Sequence, residues 1–299
     1  MADATNMKNA ANATTGATTG ATADVTADVT GTADAATDAA TAAAGQPGEQ
    51  PQPQSHPRDQ LKEMPTDWRR ALAIVAHPDD LEYGASAAVA TWLDDGRECV
   101  YLLASVGEAG IDTLAPTEAG PLREREQRAS AAAVGVETVE FLGHPDGVIE
   151  YGTALRRDFA AAIRRHRPEL VLTLNHHDTW GGTYWNTPDH RNVGRAVLDA
   201  VGDAGNRWIF PELAEEGLLP WDGVRYVAVA GSPQPTHAVD ASSGLDRAVA
   251  SLLCHRTYIE ALTKEDPETY CRTFLEGAMQ GVAARFGGRP GVAFELFNR

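Results

Sequence analysis

The sequence predicts an α/β fold built on a mostly parallel sheet with helices on both faces. Two observations predict it. Short apolar runs alternate with helical patterns from about residue 71 onward, and polar loops follow the apolar runs. Strands separated by helices form βαβ units, whose strands run parallel and whose connecting helices cover the sheet.

Five strands and the helices between them can be placed in chain order. The strands are predicted at 71–76, 98–106, 138–142, 170–175 and 224–230. Helices are predicted where apolar residues recur at helical spacing: from 81 to a stop at Gly96, from about 121 to 134 before Gly135, near 154–165, and at 189–200. Two further helical stretches, around 245–262 and 267–284, should pack outside the sheet.

The N-terminal part of the chain differs in composition from the rest. Of residues 1–44, 28 are Ala or Thr, and none is Leu, Ile or aromatic. Such a segment buries too little apolar surface to offset its ordering entropy, and the Pro/Gln-rich stretch 45–60 is typical of an extended linker. We therefore expect a disordered tail and linker at 1–66, acting as a spacer or ordering on a partner, and a catalytic domain at 67–299.

Charge and cysteine usage exclude several classes of function. The formal net charge is −17 and no Lys/Arg-rich block occurs, which argues against nucleic acid or an anionic membrane surface as a partner. The three cysteines are widely spaced and form no disulfide-framework pattern, as expected in a reducing, cytoplasmic environment. No apolar run of membrane-spanning length and no secretion signal is present, so we expect neither export nor membrane insertion.

Polar side chains accumulate where the predicted strands end. The loops there contain AHPDD, SVGEAG, LGHPDG, NHHDTW and SPQPTH, and each carries a histidine or a carboxylate. In sheets of this kind, ligands bind outside the carboxyl ends of the strands. One shared polar site is the simplest explanation.

The AHPDD loop predicts part of a metal site. His77 and Asp80 lie three residues apart across a strand-to-helix turn, close enough to bind one cation. A divalent ion would offset the negative charge of adjacent carboxylates at a buried strand end. His190, in TPDHR at the start of a later helix, would complete a set of two histidines and one carboxylate, which is typical of a catalytic zinc site. Asp79 then remains as a general base for water.

Each of these residues also has a structural interpretation. Asp79 or Asp80 could cap the helix that begins near Leu81, with Glu82 spaced as in a capping box. A single histidine such as His190 is more often a helix-surface residue. The combination of the two segments, rather than either one, favours the metal site.

Further histidines follow the predicted strands. His176, His177 and Asp178 come after the fourth strand, and His144 comes after the third. They should lie near the site as acid/base or supporting groups, although a solvated loop explains them equally well.

The motifs together resemble a known family. AHPDDLEYGA, GEAG, REREQRASAAAVGV leading into FLGHPDG, and PDHRNVG are similar to segments of the LmbE/PIG-L family of metal-dependent N-acetylglucosaminide deacetylases. The resemblance runs from about Ala71 to the C-terminal AFELF segment and does not include the tail. AHPDD followed by PDHR is a fairly specific pair, whereas either motif alone is weak.

This resemblance implies a Rossmann-like sheet, usually a zinc ion, and hydrolysis of an acetamide or related amide on an amino sugar. By the same resemblance, His77, Asp80 and His190 match the metal ligands of the family, and Asp79 matches its catalytic base.

The resemblance also implies substrate contacts and reveals one departure. Arg123 falls where relatives place a sugar-contacting arginine, with a solvated helix face that includes Arg125 and Arg128 as the competing explanation, and Asp146 falls where they place a polar substrate contact. Many relatives have HPDH where this chain has TPDH. Thr187 therefore replaces a histidine linked to oxyanion stabilisation or amine protonation, which leaves the acid step unassigned.

The predicted function is zinc-dependent hydrolysis of an N-acyl group, normally N-acetyl, from an amino-sugar derivative, which releases a free amine and acetate. The expected partner is this small-molecule substrate. Two alternatives stay open: an amidase that acts on a thiol-sugar conjugate by the same chemistry, and a metal-binding relative without catalysis. The proposed ligand set also suits ferrous iron.

Overall fold

The computed structural model describes residues 60–299, so most of the predicted tail and linker lies outside the described residues. The strands are β1 Lys62–Glu63, β2 Arg70–Val75, β3 Glu98–Leu103, β4 Thr138–Phe141, β5 Leu170–Leu174, β6 Tyr226–Ala230, β7 His237–Asp240 and β8 Gly291–Asn298. The helices are α1 Asp80–Gly84, α2 Ser86–Asp94, α3 Pro116–Val134, α4 Thr153–His166, α5 Pro188–Gly205, α6 Glu212–Glu215, α7 Leu245–Leu253, α8 Arg256–Leu262 and α9 Pro267–Ala283.

The strands form one eight-stranded sheet in the order β1-β7-β8-β6-β5-β2-β3-β4. The pairs β1/β7, β2/β3, β3/β4, β2/β5 and β5/β6 are parallel, whereas β8 runs antiparallel to both of its neighbours, β6 and β7. The predicted α/β fold with a mostly parallel sheet is therefore confirmed.

Alternate residues of the central strands pack into two apolar layers. In β2, Ala73 and Val75 face a layer with α1, α2, α3, α7 and α9, while Leu72 and Ile74 face a second layer with α4 and α5. Both sets are buried, as expected for parallel strands covered on two faces. The alternation of side chains along β2 thus fixes which helices cover each face of the sheet.

The five predicted strands and most helices form within a few residues of their expected bounds, with three differences. The predicted helix from Leu81 is divided at Ala85, which has φ −149°. The break follows Gly84, where a Cβ atom would lie 2.9 Å from the Leu174 side chain, so the chain approaches β5 more closely than a continuous helix allows. The helical stretch at 245–262 is likewise divided, into α7 and α8.

The third difference is that the sheet has three strands that the sequence did not predict. They are β1, β7 and β8. β1 is only two residues long and lies before residue 67, where the catalytic domain was expected to begin; the adjacent Leu61 and Met64 are buried. These strands extend the sheet beyond β6, on the side opposite β4.

Strand order places the candidate site at β2. The chain builds outward from β2 through β3 to β4 and then returns to place β5 on the other side of β2. The carboxyl end of β2 is therefore a topological switch point, where open α/β sheets form ligand crevices. The AHPDD loop begins at this point.

None of the helices within residues 60–299 has the length and apolar character needed to cross a membrane.

The second apolar layer gives a stability prediction. Phe159 of α4 is fully buried against the sheet. Replacing it, Phe159→Ala, should lower the free energy of unfolding by about 3–5 kcal/mol, because the lost apolar contacts leave a cavity. Denaturant unfolding followed by tryptophan fluorescence measures this change. Leu219, which is 62% exposed, is the control: Leu219→Ala should change stability by less than about 0.5 kcal/mol. Equal effects of the two substitutions would contradict the assignment of Phe159 to the core.

Candidate metal centre

Three predicted ligands meet at the switch point. His77 and Asp80 come from the loop between β2 and α1, and His190 comes from the first turn of α5. The His190 Nε2 atom lies 3.0 Å from Asp80 Oδ1 and 3.3 Å from His77 Nδ1, and His77 Nδ1 lies 3.8 Å from Asp80 Oδ1. All three residues are at most 4% exposed. Folding therefore brings two segments more than a hundred positions apart into one buried cluster.

The cluster fits a tetrahedral divalent ion. Bonds of about 2.0–2.2 Å at the tetrahedral angle place donor atoms about 3.3 Å apart. The three observed separations, 3.0, 3.3 and 3.8 Å, bracket that value. An ionised carboxylate and two imidazole nitrogens are also a donor set that zinc prefers. The geometry and chemistry of these residues therefore suit a metal ligand set.

The ligand nitrogens are defined by contacts on the far side of each ring. His77 Nε2 lies 3.0 Å from Asp189 Oδ2, and His190 Nδ1 lies 3.0 Å from Asn186 Oδ1. In each case the acceptor favours a proton on the outer nitrogen, which leaves the inner nitrogen with its lone pair directed into the cluster. Asp189 and Asn186 thus orient the two histidines as ligands.

Asp80 connects the cluster to the backbone of its own loop. Its Oδ2 atom accepts hydrogen bonds from the Ala76 and His77 amides at 3.0 and 2.9 Å, which leaves Oδ1 to face His190. Burial alone would raise the pKa of Asp80, but its interactions with His190 and His77 outweigh burial and hold that pKa below the usual range. The carboxylate is therefore ionised, as a metal ligand must be.

Asp79, the predicted general base, has a left-handed backbone with φ 84° and makes no side-chain cap hydrogen bond to α1. The capping interpretation of Asp79 therefore does not hold. Its Oδ2 atom accepts a hydrogen bond from Arg123 at 3.1 Å, and its amide donates to Gln127 Oε1 at 3.0 Å. Asp79 is buried beside the cluster and held at both its backbone and its side chain.

Arg123 lies against Asp79. Its guanidinium donates to the carbonyls of Gly107 and Pro78 as well as to Asp79, and it stacks 4.2 Å from the Tyr258 ring. Burial would lower the pKa of Arg123, but Asp79 and other negative neighbours outweigh burial and raise it. Its Nε atom is buried without a hydrogen-bond partner among residues 60–299. The predicted sugar contact of Arg123 stays a prediction.

Asp146 lies on the other side of His77. Its Oδ1 atom is 3.1 Å from His77 Nε2, and its Oδ2 accepts the Ala109 amide at 2.8 Å. Burial would raise the pKa of Asp146, but contacts with His77 outweigh burial and lower it. His77, Asp146 and Asp189 also lie close enough to hold a cation. The oxygens of Asp189, however, already accept the Gly147 and Ile149 amides at 2.7 and 3.0 Å, so we interpret this group as support for His77.

The remaining predicted residues have other partners. His144 pairs with Asp158 at 3.0 Å, and Asp178 faces Arg191 and Arg195. His177 pairs with Glu295 at 2.7 Å, and the His176 ring stacks beside it. None of these contacts joins the side chains to the His77–Asp80–His190 cluster.

Thr187, the departure from the family pattern, has a structural role. Its hydroxyl accepts the His190 amide at 3.4 Å and so caps the N-terminus of α5. A threonine here stabilises the first turn of the helix that carries His190.

The sequence did not assign a role to three residues that support the site. They are Asp189, which orients His77; Asn186, which orients His190; and Gln127, which holds the Asp79 amide. Spacing offered one signal, because Gln127 follows Arg123 by four residues within α3, the separation of neighbours on a helix face. Asn186 lies before α5, so helix spacing gave no signal for it. Asp189 had no such signal, since its contact crosses between distant segments.

The region that carries this cluster is similar to a known protein family. Residues 72–201 match the family model described as PIG-L, GlcNAc-PI de-N-acetylase. This range includes both segments of the ligand cluster. The resemblance to the LmbE/PIG-L family is thereby confirmed.

Individual relatives match over most of the described chain. A diacetylchitobiose deacetylase of Thermococcus kodakarensis is 27% identical over 246 residues, covering 79% of this chain and 89% of that protein. A 1D-myo-inositol 2-acetamido-2-deoxy-alpha-D-glucopyranoside deacetylase of Geodermatophilus obscurus is 27% identical, covering 62% and 74%. The solved structure of N,N'-diacetylchitobiose deacetylase from Pyrococcus horikoshii superposes with a TM-score of 0.69 at 23% identity, covering 78% and 85%, and shares the fold.

The contact between Asp189 and His77 gives a prediction for metal affinity. Asp189→Asn should weaken zinc binding about 10–100-fold, because the carboxylate that orients the His77 ring from its far side is lost. Competition titration with a zinc chelator measures the affinity. Asp199 lies on the same helix and accepts a hydrogen bond from the exposed Tyr151 hydroxyl, so Asp199→Asn is a matched control that should leave affinity unchanged. Equal affinities of the two variants would contradict the role of Asp189.

Proposed function

We propose that the protein is a metal-dependent hydrolase that removes an N-acetyl group from an amino sugar, in keeping with the match of residues 72–201 to the PIG-L family model. The observation that carries this proposal is the buried cluster of His77, Asp80 and His190 with Asp79 beside it. A closed structural site has four protein ligands. A three-ligand cluster with an adjacent carboxylate base is instead suited to hydrolysis.

The proposed reaction is an amide hydrolysis. A divalent ion held by His77, Asp80 and His190 supplies polarisation of the acyl carbonyl and acidifies water when it is bound. Asp79 accepts the proton of the attacking water, and the C–N bond then breaks to give acetate and a free amine. Because the Thr187 hydroxyl is engaged at the helix cap, we assign the return of that proton to the amine to Asp79 as well.

The other residues around Asp79 prepare it for this role. Arg123 donates to its carboxylate and Gln127 accepts its amide, so the carboxylate is oriented before substrate arrives. Arg123 and Gln127 therefore fix the position of the Asp79 side chain and backbone before the reaction begins.

We propose zinc as the metal. Two imidazoles and one carboxylate near tetrahedral separations support zinc, and the same donor types accept ferrous iron. Metal analysis of protein purified without added metal distinguishes them.

We propose an N-acetylglucosamine derivative as the substrate. The named relatives are deacetylases of diacetylchitobiose and of an inositol-linked acetamido sugar. Arg123, whose guanidinium lies against Asp79, and Asp146, which lies against His77, are the proposed contacts to the sugar. An amidase acting on a thiol-sugar conjugate would use the same metal residues and differ in the acyl group released.

The proposed setting is a reducing compartment such as the cytoplasm. All three cysteines of the chain are free, and burial raises the pKa of the Cys271 thiol to about 12. The acidic net charge of −17 supports a small neutral or cationic substrate rather than a nucleic acid.

The central prediction concerns acetate release. Zinc-loaded protein should release acetate from N-acetylglucosaminyl-inositol or diacetylchitobiose, and chelator-treated protein should not. Asp79→Asn should lower kcat about 10²–10⁴-fold, because an amide cannot accept the proton of water, while bound zinc stays at the wild-type level. Acetate and zinc are measured on the same samples.

Asp178→Asn is the control for this substitution, since Asp178 is an exposed loop carboxylate that faces Arg191 and Arg195. It should retain wild-type turnover. Full activity of Asp79→Asn would remove Asp79 from the base role. No release by zinc-loaded protein from either sugar would favour a different acyl substrate or a binding protein without catalysis.

A second prediction separates the two roles of Arg123. Arg123→Lys keeps the positive charge but loses the planar set of donors. We expect kcat to fall at least about tenfold because Asp79 loses its bonded partner, and KM for the sugar to rise if the guanidinium also contacts the sugar as proposed. Steady-state kinetics with one sugar measures both constants. A change in KM alone would assign Arg123 to sugar binding only, and unchanged kinetics would remove it from the site.

A further inference from the structure

A second group of histidines lies at the same edge of the sheet. His176 and His177 follow β5, and Glu295 belongs to β8, where it lies opposite Val229 of β6. One donor atom from each of His176, His177 and Glu295 lies within 4.8 Å of the others. The side chain of Glu295 is 13% exposed and that of His177 is 24% exposed, so the group is largely withdrawn from solvent.

Within this group, His177 has a hydrogen-bond partner, whereas one ring nitrogen of His176 has none among the described residues. His177 Nε2 lies 2.7 Å from Glu295 Oε2, which also accepts the Ser232 hydroxyl at 2.6 Å. His176 stacks beside His177 with ring centroids 4.4 Å apart and an interplanar angle of 30°. The Nδ1 atom of His176 is buried and has no hydrogen-bond partner within residues 60–299. A buried ring nitrogen without a partner is unfavourable, and a ligand bound to it would offset that cost.

An ion pair between His177 and Glu295 does not explain the arrangement. Elsewhere in the described chain, His144 pairs with Asp158 and His166 pairs with Glu140, each at 3.0 Å and each with a single imidazole. At Glu295 a second imidazole lies beside the first, as it also does around Asp80 in the first cluster. Two stacked imidazoles beside one carboxylate are unfavourable as two cations, whereas two neutral imidazoles are good ligands for one cation.

We propose that His176, His177 and Glu295 form a second cation site, distinct from the His77–Asp80–His190 cluster, which takes an imidazole-preferring divalent ion such as zinc. Two imidazoles and a carboxylate match the donor preference of zinc. The donor atoms of the three residues lie within 4.8 Å of one another. Rotation of the two histidine side chains, which belong to a loop rather than a strand, would bring these atoms to ligand distances.

This site would tether the loop that supports the first cluster. The Asn186 side-chain amide donates to the backbone carbonyls of Asn175 and His177 at 2.8 and 2.9 Å, while its oxygen lies 3.0 Å from His190 Nδ1. A cation at His176 and His177 would fix the start of this loop to β8 through Glu295. Its expected role is therefore structural, and it contributes no group to the proposed reaction.

Zinc stoichiometry tests the proposal. Protein stripped with a chelator and titrated with zinc alone should bind two ions per chain, measured by elemental analysis after gel filtration and by native mass spectrometry. Glu295→Gln and His176→Ala should each bind one. Glu295→Gln keeps an acceptor for Ser232, so it tests the charge of the ligand with little effect on packing. Thermal unfolding of each variant checks that it is folded.

Two further variants separate this site from the first and from adventitious binding. Asp80→Asn should bind one zinc ion, and the double variant Asp80→Asn, Glu295→Gln should bind none. His166→Gln removes a half-buried histidine that lies outside both clusters and pairs with one carboxylate, and it should bind two. If Asp80→Asn alone left the stoichiometry unchanged, the first site would fail while the loss in Glu295→Gln would still support the second.

Three results would overturn the second site. Wild-type protein could bind one ion, folded Glu295→Gln and His176→Ala could retain two, or His166→Gln could lose as much zinc as they do. The first two would leave His177 and Glu295 as an ion pair only, and the third would indicate adventitious binding to histidines outside both clusters.

Discussion

The structure around the candidate site depends on how the buried carboxylate of Asp80 is satisfied. An ionised carboxylate withdrawn from water costs several kcal/mol unless paired and hydrogen-bonded. One oxygen of Asp80 accepts two amides of its own loop, and the other faces His190 across the cluster. The first oxygen therefore fixes the path of the backbone from β2 into α1, and the second fixes where α5 must begin. Loss of either contact would leave a buried charge without a partner.

The same tight turn imposes a strained backbone on the neighbouring residue. Asp79 has φ 84°, a left-handed conformation that costs a residue other than glycine roughly 1–3 kcal/mol. The strain is held by a buried polar network, in which Gln127 accepts the Asp79 amide and donates to Glu82 at 3.0 Å, and Ser130 donates to Glu82 at 2.6 Å. Burial would raise the pKa of Glu82, but its contacts with His255 and Ser130 lower it, so Glu82 is ionised. Glu82, two residues after AHPDD, thus anchors the network that holds Asp79, rather than forming part of a capping box.

Features that depend on residues close together in the chain could be predicted from the sequence, whereas contacts between distant segments could not. Strands such as β2 and β5 are apolar over most of their length, so local composition predicts them. The ligand cluster was also predictable, because carboxyl ends of parallel strands share one edge and histidines accumulate there. β8 was not predicted, since its burial is uneven and its pairing partners lie far away in the chain. Contacts such as Asp189 with His77 likewise depend on tertiary structure, which no local spacing encodes.

The C-terminal strand shows how a segment outside the matched family region completes this edge of the molecule. β8 inserts antiparallel between β6 and β7, and the fully buried Phe294 stacks on Trp92 of α2 with ring centroids 5.6 Å apart. That stacking anchors β8 in the core. Because side chains alternate along a strand, the next residue, Glu295, must then point to the opposite face of the sheet, toward the loop that follows β5. Packing in the core therefore dictates the position of Glu295 beside His177, and the loop that carries Asn186 toward His190 is held from the C-terminal end of the chain.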